Sequence, residues 1–209
     1  MQNFQELEEK IKSVEGLVEW AQIDVMDGKF VIPRTFNIPQ QLPVLKTSIK
    51  LEAHLMIEQP WDFINAWLSA GVKRIVVHYE SVGYRLDAER VFEEMISGCH
   101  ILNCEFGIAI NPETPFEVLD PYILKIDTVQ VMGVKPGWAG QAMKDNTLVK
   151  IQGLREKYPG VKIEVDGGVN TETAPKILKA GADILIVGSA IWQADDKKKI
   201  IEELKNIKF

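Results

Sequence analysis

The chain has 209 residues, 46% of them hydrophobic and 26% charged, with a net charge of -6. That length and apolar share predict one domain spanning 1–209 with a sizeable core, and they exclude a disordered chain. The acidic balance, in which Lys197 to Lys199 is the one basic run, points away from nucleic acid. No apolar run reaches the roughly 20 residues of a membrane helix, so no membrane partner is expected.

In chain order, a helix is expected at 3–14 ("NFQELEEKIKSV"), opened by Asn3. The acidic start lacks a signal-peptide core, so the chain is expected in the cytoplasm. From there, strands are expected at 18–25, 48–56, 73–80, 104–110, 127–134, 162–168 and 182–190, all rich in Val and Ile. Helical patterns fill the gaps at 60–71, 86–98, 112–123, 146–158 and 171–181, and a last one covers 195–207. The lysine triplet falls in that last segment, where acids before it suit the dipole of a solvated helix. Cys99 and Cys104 flank His100, but no second ligand pair follows at metal spacing, so incidental packing is expected.

A strand followed by a helix, repeated along the chain, predicts crossover units and a parallel sheet. Polar residues recur near the strand ends (Asp24, His54, His78, Asn111, Lys135, Asp166, Ser189), which favours a barrel with one mouth over an open sheet. The expected class is therefore α/β, a (β/α)8 TIM barrel. Seven strands are counted against eight, and the chain opens on a helix, so the first strand of such a barrel is not in the pattern.

In "QIDVMDGKF" strand alternation puts Asp24 and Met26 on one face and Ile23, Val25 and Asp27 on the other, so the two acids have different tasks. Asp24, His54 and Asp166 stand at the ends of separate strands and could meet at a divalent cation. Glycine-rich turns, "PGWAGQ", "DGGVN" and "VGSAIW", follow the last three strands. There Gly137, Gly140, Gly167, Gly168, Gly188 and Ser189 could present backbone amides to a phosphate.

These motifs, with "HLM" (54–56), "HYE" (78–80), "NPETP" (111–115), "VMGVKPGWAGQ" and "VDGGV", resemble those of the ribulose-phosphate 3-epimerase family in order and over nearly the whole chain. The resemblance implies a barrel that converts D-ribulose 5-phosphate to D-xylulose 5-phosphate. It makes Asp24 and Asp166 the acid/base pair and ligands of a divalent ion (Zn, Mn, Fe or Co), with His54 a third ligand. Met26, Met56 and Met132 would form an apolar floor under the substrate, and a homo-oligomer is expected. Asp27 would order the neighbouring loop. Gln22 takes the place of the family's first metal-binding His, and its neutral amide is a weaker ligand than imidazole. Lys135 replaces the Asn of N-P-G, and "VIPRTF" stands for V-P-N-x-T-F, so the sugar preferred can differ. Alternatives are a barrel that binds a sugar phosphate without turnover, an epimerase of a hexulose 6-phosphate, and a related decarboxylase.

Overall fold

The computed structural model describes residues 1–207. Seven strands run β1 Trp20–Met26, β2 Lys50–Met56, β3 Arg74–His78, β4 Glu105–Ile110, β5 Thr128–Met132, β6 Lys162–Asp166 and β7 Ile184–Ile186. They form one sheet in chain order, and the pairs β1/β2, β2/β3, β5/β6 and β6/β7 are all parallel. Helices alternate with them: α1 Phe4–Val14, α2 Ile64–Ser69, α3 Tyr79–Val82, α4 Ala88–Ile101, α5 Asn146–Lys157, α6 Ala174–Ala180, α7 Ser189–Trp192 and α8 Lys197–Lys205. This is the alternation of the TIM-barrel class, with seven strands among the described residues. None of the described helices is long and apolar enough to cross a membrane.

The residues pack as two compact units, 1–108 and those from Ala109 onward. In the first, Asn3 caps α1 by accepting from the Glu6 amide at 2.9 Å, and Leu7, Ile11 and Val14 bury one stripe of that helix. Strand β1 alternates as expected: Ile23 and Val25 are fully buried, while Gln22, Asp24 and Met26 are half-buried on the opposite face. Strand β3 is buried throughout, and β2 throughout its second half and more, as in a sheet covered on both sides. Buried does not mean apolar here. Parallel register sets Gln22 beside Glu52 and Glu52 beside Arg74 on one face. The Arg74 guanidinium donates to Glu52 at 2.7 Å and to Glu105 at 2.6 Å, and it lies over the Trp20 ring.

In the second unit Ile151 and Leu154 of α5 and Ile177 of α6 pack inward with Val129, Val131, Ile163 and Val165 of the strands. Gly181 ends α6 with φ +114°, a left-handed cap. The Lys197 to Lys199 run opens α8, where Asp196 caps by accepting from the Lys199 amide at 3.0 Å.

Several expected boundaries move. The segment 112–123 forms only a 3-10 turn, Phe116–Leu119, because Pro112, Pro115 and Pro121 lack the amide donors a helix needs. The segment 60–71 divides into a 3-10 turn, Pro60–Asp62, and α2. Helices α3 and α7 were not foreseen, since four residues make about one turn and show no periodicity.

Candidate active site

In the first unit the parallel register of β1 and β2 sets Asp24 beside His54 and Met26 beside Met56. The buried His54 ring brings Nδ1 to 3.1 Å from Asp24 Oδ1. Gln22, two residues back on the same face, donates its Nε2 to Asp24 Oδ1 at 2.7 Å and lies 3.3 Å from His54 Nδ1. Burial pushes the Asp24 carboxyl up, but the hydrogen bond and charge of His54 and the amide of Gln22 outweigh it and hold the group below its ordinary value. Asp24 is thus biased toward its ionised form. Ligation by Gln22 would require its amide to turn over, because its nitrogen faces both neighbours.

Behind His54 the contacts continue. His54 Nε2 lies 2.9 Å from His78 Nε2, and His78 Nδ1 lies 3.2 Å from Glu80 Oε2. Both imidazoles are fully buried, and Phe30 packs on His78 with ring centroids 4.9 Å apart.

Asp27 faces away from this cluster, as alternation requires. Its Oδ1 accepts from the Lys29 and Phe30 amides at 2.8 and 3.0 Å, and its Oδ2 accepts from the Glu58 amide at 2.9 Å. Burial raises its pKa, yet these three amides outweigh burial and hold it below the ordinary value. Gly28 turns the chain with φ +74°, where a Cβ would meet the Arg34 side chain at 2.6 Å. Thr35 closes the loop, donating to the Asp24 carbonyl at 2.6 Å and accepting from the Met26 amide at 2.9 Å.

In the second unit Asp166 ends β6 beside Met132 of β5. Gln130 on β5 donates to Asp166 Oδ2 and contacts the Met132 sulfur, each at 3.3 Å. The next two glycines have a packing task. Gly168 has φ +70°, and a Cβ there would meet the Met143 amide nitrogen at 2.5 Å. Gly133 donates its amide to the Asp166 carbonyl at 2.7 Å, so the turns after β5 and β6 touch backbone to backbone. Gly137 and Gly140 also take positive φ, in a loop where Gln141 donates to the Lys135 and Trp138 carbonyls at 2.8 Å. Lys135 is exposed, and Gly188 immediately precedes Ser189, the first residue of α7.

Sequence reasoning passed over three buried polar groups in this setting. Gln130 and Glu164 sit inside strands read as apolar, on the same face as Asp166. Lys150, mid-helix on α5, donates to the carbonyls of Asn111, Pro112 and Thr114 at 2.6, 2.9 and 2.6 Å, and so fixes the "NPETP" turn. A lysine among apolar helix positions was the one available signal.

Each unit by itself offers donors of the kind a divalent ion takes, the Asp24 carboxylate and the His54 imidazole in the first and the Asp166 carboxylate in the second. Comparison with known proteins gives these residues a context. A model of the ribulose-phosphate 3 epimerase family matches residues 1–192. The chain is 36% identical over 215 aligned positions to ribulose-phosphate 3-epimerase of Bacillus subtilis, covering 99% of this chain and 95% of that one. It is 34% identical to the Schizosaccharomyces pombe enzyme of the same name, covering 90% and 81%. A crystal structure of 3-hexulose-6-phosphate synthase superposes with a TM-score of 0.70 at 16% identity, over 98% of this chain and 94% of that one, which bears on the fold.

Proposed function

The chain belongs to the ribulose-phosphate 3-epimerase family, and on that premise we propose that it inverts C3 of D-ribulose 5-phosphate to give D-xylulose 5-phosphate. It is an isomerase, and its substrate a sugar phosphate. The observation that carries the reading is the strand-end carboxylate Asp24, biased toward its ionised form by Gln22 and His54. Inversion needs a base on one face of a planar enediolate and an acid on the other. Asp24 would remove the C3 proton from one face, and Asp166 would return a proton to the other. Met26, Met56 and Met132 would line the enediolate and keep water from quenching it. A divalent ion (zinc, manganese, iron or cobalt) suits the donor set Asp24, His54 and Asp166, and it would stabilise the negative charge that develops on the substrate oxygen. The phosphate would lie against the amides of Gly137, Gly140, Gly167, Gly168, Gly188 and Ser189. The chain would act as one domain and associate as a homo-oligomer.

The test is proton exchange in deuterated water with D-ribulose 5-phosphate and manganese, following deuterium at C3 and the appearance of D-xylulose 5-phosphate. Asp24→Asn and Asp166→Asn should each lower epimerisation by about 10³-fold. Each should still wash deuterium into one epimer, and not the same one. Folded wild-type protein that exchanges nothing with any divalent ion would overturn the proposal and leave a barrel that binds sugar phosphates.

A further inference from the structure

From Val134 to Met143, among the described residues, no backbone group hydrogen-bonds to another. The hydrogen bonds in this segment come from one side chain: Gln141 Nε2 donates to the Lys135 carbonyl and to the Trp138 carbonyl, each at 2.8 Å. We propose that Gln141 is a positioning residue for phosphate binding, its carboxamide holding the turn 135–141 in the shape that offers the Gly137 and Gly140 amides to an anion. This role rests on the reading of the loop as part of the phosphate site, and it adds the side chain that keeps that loop in shape.

The segment needs such a pin because little else holds it. Gly137 and Gly140 take φ +112° and +76°, values that suit glycine, and glycine has the most conformational freedom to lose. Trp138 between them is 63% exposed, so core packing does not anchor the loop by its largest side chain. The base of the loop is tied by backbone: the Lys144 amide donates to the Gly133 carbonyl at 2.8 Å, and the Gly133 amide donates to the Asp166 carbonyl at 2.7 Å. With the ends tied and Gln141 joined to 135 and 138, the span is cut into short arcs. A shorter arc has fewer alternative shapes to visit.

The donor count fits the task. A carboxamide nitrogen carries two hydrogens, and here each meets a carbonyl. Carbonyl oxygens are the electron-rich ends of peptide dipoles and repel an anion, so a loop that binds phosphate must turn them aside and present N–H groups instead. In a trans peptide the carbonyl and the following N–H point in opposite directions. With the Trp138 oxygen held toward Gln141, the Ala139 N–H therefore faces the other way. After Lys135 comes Pro136, which has no N–H, so in that peptide the carbonyl is the only polar group and Gln141 occupies it. A neutral amide does this without setting a charge of either sign beside the ligand.

Inorganic phosphate titrated into 15N-labelled protein, without metal or sugar, should shift the Gly137 and Gly140 amide resonances. Gln141→Met, similar in size but without donors, should weaken that binding about 10-fold, the loss expected for two partly exposed hydrogen bonds. Gln141→Asn, which keeps both N–H groups on a shorter stem, should recover part of it. With D-ribulose 5-phosphate, Gln141→Met should raise KM by a similar factor and leave kcat within about threefold, because the phosphate is held alike in ground and transition states. A merely structural role would lower the active fraction, and so kcat, and leave KM alone. Phosphate affinity and KM unchanged in Gln141→Met, or kcat lowered with KM unchanged, would overturn the proposal. Wild-type amides at 137 and 140 that ignore phosphate would overturn it together with the phosphate-site reading. Wild type that binds phosphate through them, weakened in Gln141→Met, yet turns over no ketose phosphate would uphold the role of Gln141 and sink the epimerase assignment instead.

Discussion

The two units secure their polar groups by different means. In the first, side chain meets side chain: Arg74 holds Glu52 and Glu105, and Asp24 meets Gln22 and His54. In the second, Gln130 still reaches the Asp166 side chain, but the cations of α5 also hold backbone. Lys150 gathers three carbonyls after β4, and Arg155 donates to the carbonyls of Gly181, Pro159 and Val161. Glycines there let backbone touch backbone. Charge pairing tolerates small shifts of the chain but fails badly if one partner is lost, whereas backbone contact depends on shape.

Four substitutions and one control would break or sharpen that contrast. Arg74→Met should have the largest effect, costing about 3–5 kcal/mol in urea unfolding, because two glutamates lose their buried cation. Lys150→Met should cost less, roughly 2–3 kcal/mol, since carbonyls left behind carry no net charge. A reversed order would erase the distinction between the units. Gly168→Ala comes next, at about 2 kcal/mol, from left-handed strain plus overlap with Met143. Its control is Gly16→Ala, where φ is +75° with open space around it, and the expected cost is about 1 kcal/mol. Equal effects at 168 and 16 would mean that φ alone, and not the loop contact, matters. The smallest effect is expected at Asp27→Asn. Because the folded carboxyl titrates below its unfolded value, its contribution is complete at neutral pH and fades as pH falls through the folded value. Urea midpoints of wild type and Asp27→Asn should therefore converge below about pH 4. A gap that widens in acid would contradict the assignment.

Much of this was legible beforehand for specific reasons. The Val- and Ile-rich runs placed all seven strands, and alternation in "QIDVMDGKF" correctly separated Asp24 from Asp27. The approach of Asp24 to His54 follows from both lying at the ends of neighbouring parallel strands. Other features were hidden because their cause is non-local. Glu52 and Glu164 read as lapses in apolar strands, and only pairing of neighbouring strands gives Glu52 its Arg74. Gln22 read as a substitution; its bond to Asp24 joins same-face residues of one strand, but its contact with His54 spans 32 positions. At 112–123 apolar spacing outvoted three prolines, although a missing N–H is a local fact that should have prevailed.

Asp27 has a consequence for motion. Its two oxygens take amides from two separate loops, Lys29 and Phe30 after β1 and Glu58 after β2. Two loops joined through one carboxylate cannot fray independently. Ile32 is 83% exposed, whereas the Phe30 amide shares its carboxylate with that of Glu58. Opening at this end of β1 and β2 is therefore a single cooperative event with one barrier, and amide hydrogens on both loops should exchange with solvent at a common rate.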